Sequence, residues 1–376
     1  MDTTPNHPLT LHIGTAPAYE FVLSLCVWTD VDHHATSDLG PDWFAAVRAQ
    51  APRELLAAIS HFAHESDMVW AHLLTFIPQE PGVPHAPDVP AFIELLERQA
   101  PIEVHLRLVG GGVRYCEIAT PPDVMRAAVA GDPAARREFL RTSYPEDARW
   151  QAALRHLLAQ DSPRLHADLI AILRAWYDAV FRAQEPSLVG PIACEAAHWQ
   201  AQLAHEPPLA VVRAAASGFE YVPEEGIWRI VLVPSVLACP QVYLLDHDDT
   251  KWICVPISDE CLVADPLKPP PRLLRLLRAL GDERRLRLLR LLASGAHTLG
   301  QLSAEAGMGK TLTHHHLTVL RGAGLVVVRG GTPTVYTLRY DTVAQVGPAL
   351  DAFLAPPPRK ERSDGSSSGT SSPVQA

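Results

Sequence analysis

The sequence has little of what marks a membrane protein, a secreted scaffold or a common enzyme. Its longest apolar stretches, residues 21–28 and 230–238, fall well short of the roughly 18 to 20 residues a spanning helix needs. Residues 1–10 carry neither a basic stretch nor an apolar run of signal-peptide length, so a cytoplasmic location is expected. Six cysteines (Cys26, Cys116, Cys194, Cys239, Cys254, Cys261) are scattered with no C-x-x-C pair. That scatter excludes a zinc ribbon and predicts reduced, buried thiols over a disulfide framework. No G-x-S-x-G elbow occurs between a strand and a helix. Gly110-Gly111-Gly112 lacks the G-x-G-x-x-G order and reads as a turn. No convergent catalytic set can be found, so neither an enzyme nor a cofactor is expected, and the rival reading is a catalytic N-terminal domain regulated by its C-terminal module.

What is present is enough to build cores. Apolar residues make up 47% of the chain and charged ones 20%, a balance that excludes general disorder. A length of 376 residues suggests two or three domains. Residues 1–264 form the expected N-terminal sensing or dimerisation domain, and 265–271 (DPLKPPP) a stiff proline linker. Residues 272–354 are the second domain, and 355–376 a tail too polar to order itself. Residues 78–90 read as a loop, and no repeat of fixed period is present. The expected class is α+β: a mostly helical N-terminal domain with a small antiparallel sheet, followed by a winged helix-turn-helix. Leu165, Leu169, Ile172, Leu173, Trp176, Val180 and Phe181 recur at helical spacing after Ser162-Pro163. Residues 230–233, 242–245 and 252–255 read as strands, the last two joined by Asp246-His247-Asp248-Asp249 as a hairpin.

The net charge of -10 conceals an asymmetry: residues 268–339 hold twelve Lys or Arg against Asp282, Glu283 and Glu305. A basic module on an acidic body has the footprint of a polyanion binder, because neutralising phosphates releases counterions. Within it, residues 272–280 predict one helix and Asp282 caps a second that ends at Ser294-Gly295. Thr298 caps a third, Gly307 makes the turn, and residues 309–321 form the fourth. In the fourth helix Thr313, Leu317 and Leu320 share a stripe with His316 beside them, leaving Lys310, Thr311, His314, His315, Thr318 and Arg321 outward. Those six are the expected DNA-contacting residues of a recognition helix. Residues 325–328 and 334–340 pair around Gly330-Gly331-Thr332-Pro333 as a wing, whose Arg329 is assigned to phosphate or the minor groove.

The run GDERRLRLLRLLASGAHTLGQLSAEAGMGKTLTHHHLTVLRGAGLVVVRGG resembles the winged helix of the ArsR-type regulators, over residues 273–354 and most specifically in KTLTHHHLTVLRGAGLV. The resemblance implies a homodimer on double-stranded DNA, usually a repressor, whose first and last module helices pair across a two-fold axis. Here the last helix would present Val343, Val346, Leu350, Phe353 and Leu354, with Pro348 shortening it. The N-terminal region is similar to the uncharacterised domain preceding this module in actinobacterial regulators. Metal-sensing members place Cys on the third helix or Asp and His on the last; LGQLSAEAG and TVAQVGPALDAFL offer neither, so no metal is expected there.

Other constellations are weaker. Gly309-Lys310-Thr311 lacks the upstream glycine and strand of a P-loop. His314, His315 and His316 point about 100° apart and cannot share one ion. Asp30, Asp32, His33 and His34, and His61 with His64 and Glu65, read as capping or surface groups. Trp176, Tyr177, Phe181 and Trp199 are the expected lining of an apolar pocket for a small-molecule effector.

Overall fold

A computed structural model describes residues 8–78, 88–111, 120–143, 147–216, 221–262, 267–329 and 334–355. Cys116, Gly112, most of the 78–90 loop, the first two residues of the expected linker, the wing tip and the tail beyond 355 lie outside the described residues.

The helix Pro17–Thr29 is the axis of the N-terminal domain. Its sequence is apolar on every side, so no face can be left to water. Nearly all of it is buried, including Tyr19, Phe21, Leu23 and Leu25. Helices pack around it, among them Ser162–Trp176, where Asp161 accepts from the Arg164 backbone N–H as N-cap. Trp176 is fully buried and donates from Nε1 to Ser24 Oγ at 2.8 Å, fixing the two helices against each other. A π-helical turn, Tyr177–Phe181, leads into the long helix Arg182–Leu203, which carries Pro186 and Pro191 within it. Among the described residues no helix is long and apolar enough to cross a membrane.

The sheet strands are β1 (Thr10–Ile13), β2 (Arg229–Ser235), β3 (Tyr243–His247) and β4 (Thr250–Pro256), in the order β1-β2-β4-β3. The expected antiparallel hairpin is β3–β4, closed by Asp248 in the left-handed region (φ 53°). The other two pairings, β1–β2 and β2–β4, are parallel, so the sheet is mixed. Alternate side chains enter different cores: Val231, Val233, Trp252 and Cys254 face the helical bundle, while Ile230, Leu232, Ile253 and Val255 join Trp199, Val211 and Tyr221. Burial on both faces explains why these strands read as continuous apolar runs.

The C-terminal module keeps its own core of Leu276, Leu288, Leu292, Leu302, Leu317, Leu320, Leu325 and Tyr336. Its helices are Pro271–Leu280, Glu283–Leu292, Leu299–Ala306 and Lys310–Gly322. Strands β5 (Val326–Arg329) and β6 (Val335–Leu338) pair antiparallel as the expected wing stem. The C-terminal helix is interrupted at Gln345, giving Tyr340–Ala344 and Val346–Leu354, with Pro348 in the second piece as anticipated.

One expectation is overturned. Cys194 and Cys261 are joined by a disulfide with Cα atoms 5.7 Å apart. The scatter of cysteines along the chain hid this pair because the fold brings together residues separated by 67 positions. Cys26, Cys239 and Cys254 are free and buried, as the sequence suggested.

A carboxylate is also built into the N-terminal core. Glu20 accepts from the backbone N–H of Val236 at 2.9 Å and of Leu237 at 3.0 Å, tying the axial helix to the end of β2. Burial nevertheless dominates and pushes its pKa up to about 7. Folding thus favours the protonated form, so its contribution is complete below the unfolded value near 4.5 and is lost as pH rises through 7. Urea melts from about pH 5 to about pH 7.5 should lose at most ~3 kcal/mol from this group, and Glu20→Gln should flatten that component of the slope.

Candidate nucleic-acid interface

The geometry of the third and fourth module helices follows from local signals. Thr298 and Gln301 form a capping box, with Gln301 Oε1 accepting from the Thr298 backbone N–H at 2.8 Å. Gly307 ends that helix in the left-handed region (φ 67°), a conformation costly for any residue with a Cβ. The next helix begins at Lys310 with Gly309 as N-cap, and no side chain caps it. Its first N–H groups therefore remain available to an anion.

Burial separates the two faces of this helix as the sequence pattern requires. Thr313, His316, Leu317 and Leu320 are buried. Thr313 donates from Oγ1 to Gly309 O at 3.1 Å. His316 sits inside with its pKa lowered, first by burial, which favours a neutral ring. Lys310, Thr311, Leu312, His314 and His315 are exposed over the first two turns.

The remaining expected contacts are less free. Thr318 is half-buried and donates to the His314 carbonyl at 3.0 Å, so its hydroxyl is engaged within the helix. Arg321 is exposed, yet crowding around its guanidinium lowers its pKa. His314 is likewise lowered, first by desolvation and then by the charges of Arg321, His33 and His315. His33 belongs to the N-terminal domain and in turn feels Arg321. The outward face predicted from the sequence is thus open at its start and approached by the N-terminal domain further along. Arg329 closes β5 opposite Val335, and its side chain lies outside the described residues.

The first two module helices carry further basic groups. Arg278, Arg284, Arg287 and Arg290 are exposed. Arg285 turns inward and donates to the carbonyls of Ala279 and Arg278, each at 2.8 Å, closing the end of the first module helix. Arg275 pairs with Asp38 of the N-terminal domain where both side chains are largely buried, and burial pulls the arginine down to about 10. The Arg272 backbone N–H donates to Asp259 Oδ2 at 3.0 Å. Neither contact was legible from spacing, because each depends on segments that only the fold brings together.

The other sequence clusters resolve into local roles. His33 Nδ1 bonds Asp30, and His34 Nε2 meets the carbonyls of Val27 and Trp28, so both histidines finish the axial helix. His61 and His64 pack against His156, with ring centroids 4.6 and 5.5 Å apart. Of the four aromatic residues expected to line one pocket, Phe181 alone does so. Trp176 is sealed in the bundle and Trp199 belongs to the core beneath the sheet. The cavity measures about 430 Å³ and is lined by Glu20, Phe181, Glu185, Leu188, Val189 and Ile192, among others. Among the described residues, Cys194, His198 and Cys261 form a group whose ligand atoms all lie within 4.8 Å of one another.

Comparison with known proteins agrees with the geometry. Residues 282–328 match the arsR family of bacterial regulatory proteins. That segment is therefore a helix-turn-helix of the ArsR type. Over 55 residues the chain is 47% identical to the HTH-type transcriptional regulator CmtR of Mycobacterium bovis and of Mycobacterium tuberculosis. The match covers 15% of this chain and 47% of each relative, so the chain spans just under half the length of the curated relatives.

Lys310→Ala and His315→Ala should each relax base preference at one operator position by roughly 1 to 3 kcal/mol. Arg329→Ala should weaken all sequences alike and reduce the salt slope by about one unit. Leu317→Ala should instead lower stability by roughly 2 to 5 kcal/mol through a core cavity. Binding titrations on operator and scrambled DNA, with thermal melts, separate the three; unchanged selectivity in folded Lys310→Ala and His315→Ala would remove this helix as the reader.

Proposed function

We propose that the chain is a DNA-binding transcription regulator, a repressor that acts as a homodimer on an inverted repeat. The observation that carries the reading is the open start of the Lys310–Gly322 helix, presented by an ArsR-type scaffold. Lys310, Thr311, His314 and His315 would read base edges in the major groove, while Arg329 meets backbone or minor groove. Thr318 and Arg321 would contribute at the rim, being already partly engaged by the protein.

Dimerisation is supported by apolar surface left uncovered on the first and last module helices. Leu277 is 40% exposed, Val343 40% and Leu354 67%, and the helix Val346–Leu354 has no buried residue. A second copy covering that face would place two recognition helices on one side of the duplex. Effector control is supported by the cavity beside Phe181, whose walls combine apolar side chains with the carboxyls of Glu20 and Glu185. Such a lining suits a small apolar ligand with one basic or hydrogen-bond-donating group.

Footprinting with purified protein should reveal two protected half-sites about one helical turn apart, or a multiple of it. Affinity should fall steeply with salt. A single asymmetric contact by a monomer would overturn the dimer, and affinity insensitive to salt would overturn the phosphate-neutralising surface.

A further inference from the structure

The long helix Arg182–Leu203 places Cys194 and His198 four residues apart, hence on one face. Facing them is Cys261, on the short helix Asp259–Leu262 that immediately precedes the DNA-binding module. Cys194 and Cys261 are half-buried and His198 is exposed, so the group is open to small solutes. His198 Nδ1 lies 3.8 Å from Cys261 Sγ.

We propose that Cys194, His198 and Cys261 form a thiol site that, when its disulfide is reduced, binds a thiophilic divalent cation of the zinc class. Two thiolates and one imidazole are the donors such an ion takes, leaving a fourth position for water. A tetrahedral ion with bonds of roughly 2.3 Å to sulfur and 2.0 Å to nitrogen needs sulfur and nitrogen roughly 3.5 Å apart, close to the separation already present. Its two sulfurs must stand roughly 3.7 Å apart, which the pair reaches only once the covalent bond is opened. An external dithiol supplies that opening: it is oxidised to its own disulfide and delivers two electrons and two protons, giving two free thiols. The cation then displaces the two thiol protons. Disulfide and metal are mutually exclusive occupants of one site, and each ties Cys261 to the long helix.

The position of the tie gives it a consequence for the junction. Next to Cys194, Glu195 accepts from the backbone N–H of Ser258 at 2.9 Å and from its hydroxyl. Next to Ser258, Asp259 accepts from the first turn of the module at Arg272. The same long helix lines the cavity through Leu188, Val189 and Ile192. Opening the site without filling it therefore loosens the segment that starts the DNA-binding module.

The full chain, reduced under argon, freed of small molecules and titrated with Co(II), tests this directly. One cobalt per chain should bind, with a thiolate-to-cobalt charge-transfer band that added Zn(II) abolishes. The chain kept oxidised should give no band, which needs no mutation and so no concern over folding. Cys194→Ser and Cys261→Ser should each lose the band, Cys239→Ser should keep it, and His198→Gln should bind more weakly. Amide exchange around residues 258–272 should rise on reduction and fall again with Zn(II). A reduced chain that binds no cobalt, an oxidised chain that binds it equally, or an undiminished band in Cys194→Ser overturns the proposal. None of these readouts depends on DNA, so failure here is distinct from failure of the regulator reading.

Discussion

Among the described residues the core of the C-terminal module stays separate from the two cores of the N-terminal domain, and what ties the module to that domain is a set of buried or half-buried charges. Asp38 meets Arg275, Asp259 holds the start of the module at Arg272, and Glu195 holds Ser258 just ahead of it. Apolar packing would tolerate sliding, since it is non-directional. Charged hydrogen bonds are directional, and a buried partner left alone is heavily penalised. The junction is thereby made closer to all-or-none than to elastic. An orientation that breaks Asp38–Arg275 leaves both charges uncompensated, so intermediate poses are disfavoured and the module has a preferred seat.

That seat brings the N-terminal domain close to the recognition helix. The charges of His33, Arg321 and His314 act on one another across the domain boundary, and Gly322 lies near Pro240: a Cβ placed there would come within 3.3 Å of the proline ring. The helix is thus open over its first turn and approached by the other domain from His314 onward. The long helix Arg182–Leu203 touches the cavity, carries Cys194 and Glu195, and leads through Ser258 to the module. The cavity, the disulfide and the contact to Ser258 thus all share one helix.

Much of the module was legible in the sequence because its signals are local. Asp282, Thr298, Gly307 and Pro348 each fix a helix end through their own chemistry within three or four residues. The hairpin of β3 and β4 was legible for the same reason. Parallel pairing of β1 with β2 was not, since β1 is four residues long and its partner lies more than two hundred residues away. Cys194 and Cys261, and Asp38 and Arg275, are likewise products of tertiary juxtaposition. The four-residue spacing of Cys194 and His198 is a local trace of their group with Cys261, but it forms no C-x-x-C pair. The aromatic pocket failed for a different reason: aromatic residues near one another in sequence were dispersed between two cores on opposite faces of the sheet.

The parallel pairing of β1 also bears on how the chain is made. Residues 10–13 are synthesised before the helical bundle, and their partner strand, 229–232, only after it. Until then β1 has no neighbour and the core containing Ile230, Leu232 and Ile253 has no floor. The N-terminal domain therefore closes late, when β2 and β4 have both appeared, and the residues that follow them are already those of the DNA-binding module. The residues that seat the module, Asp38 and Asp259, both precede it in the chain, so its seat is synthesised before the module itself.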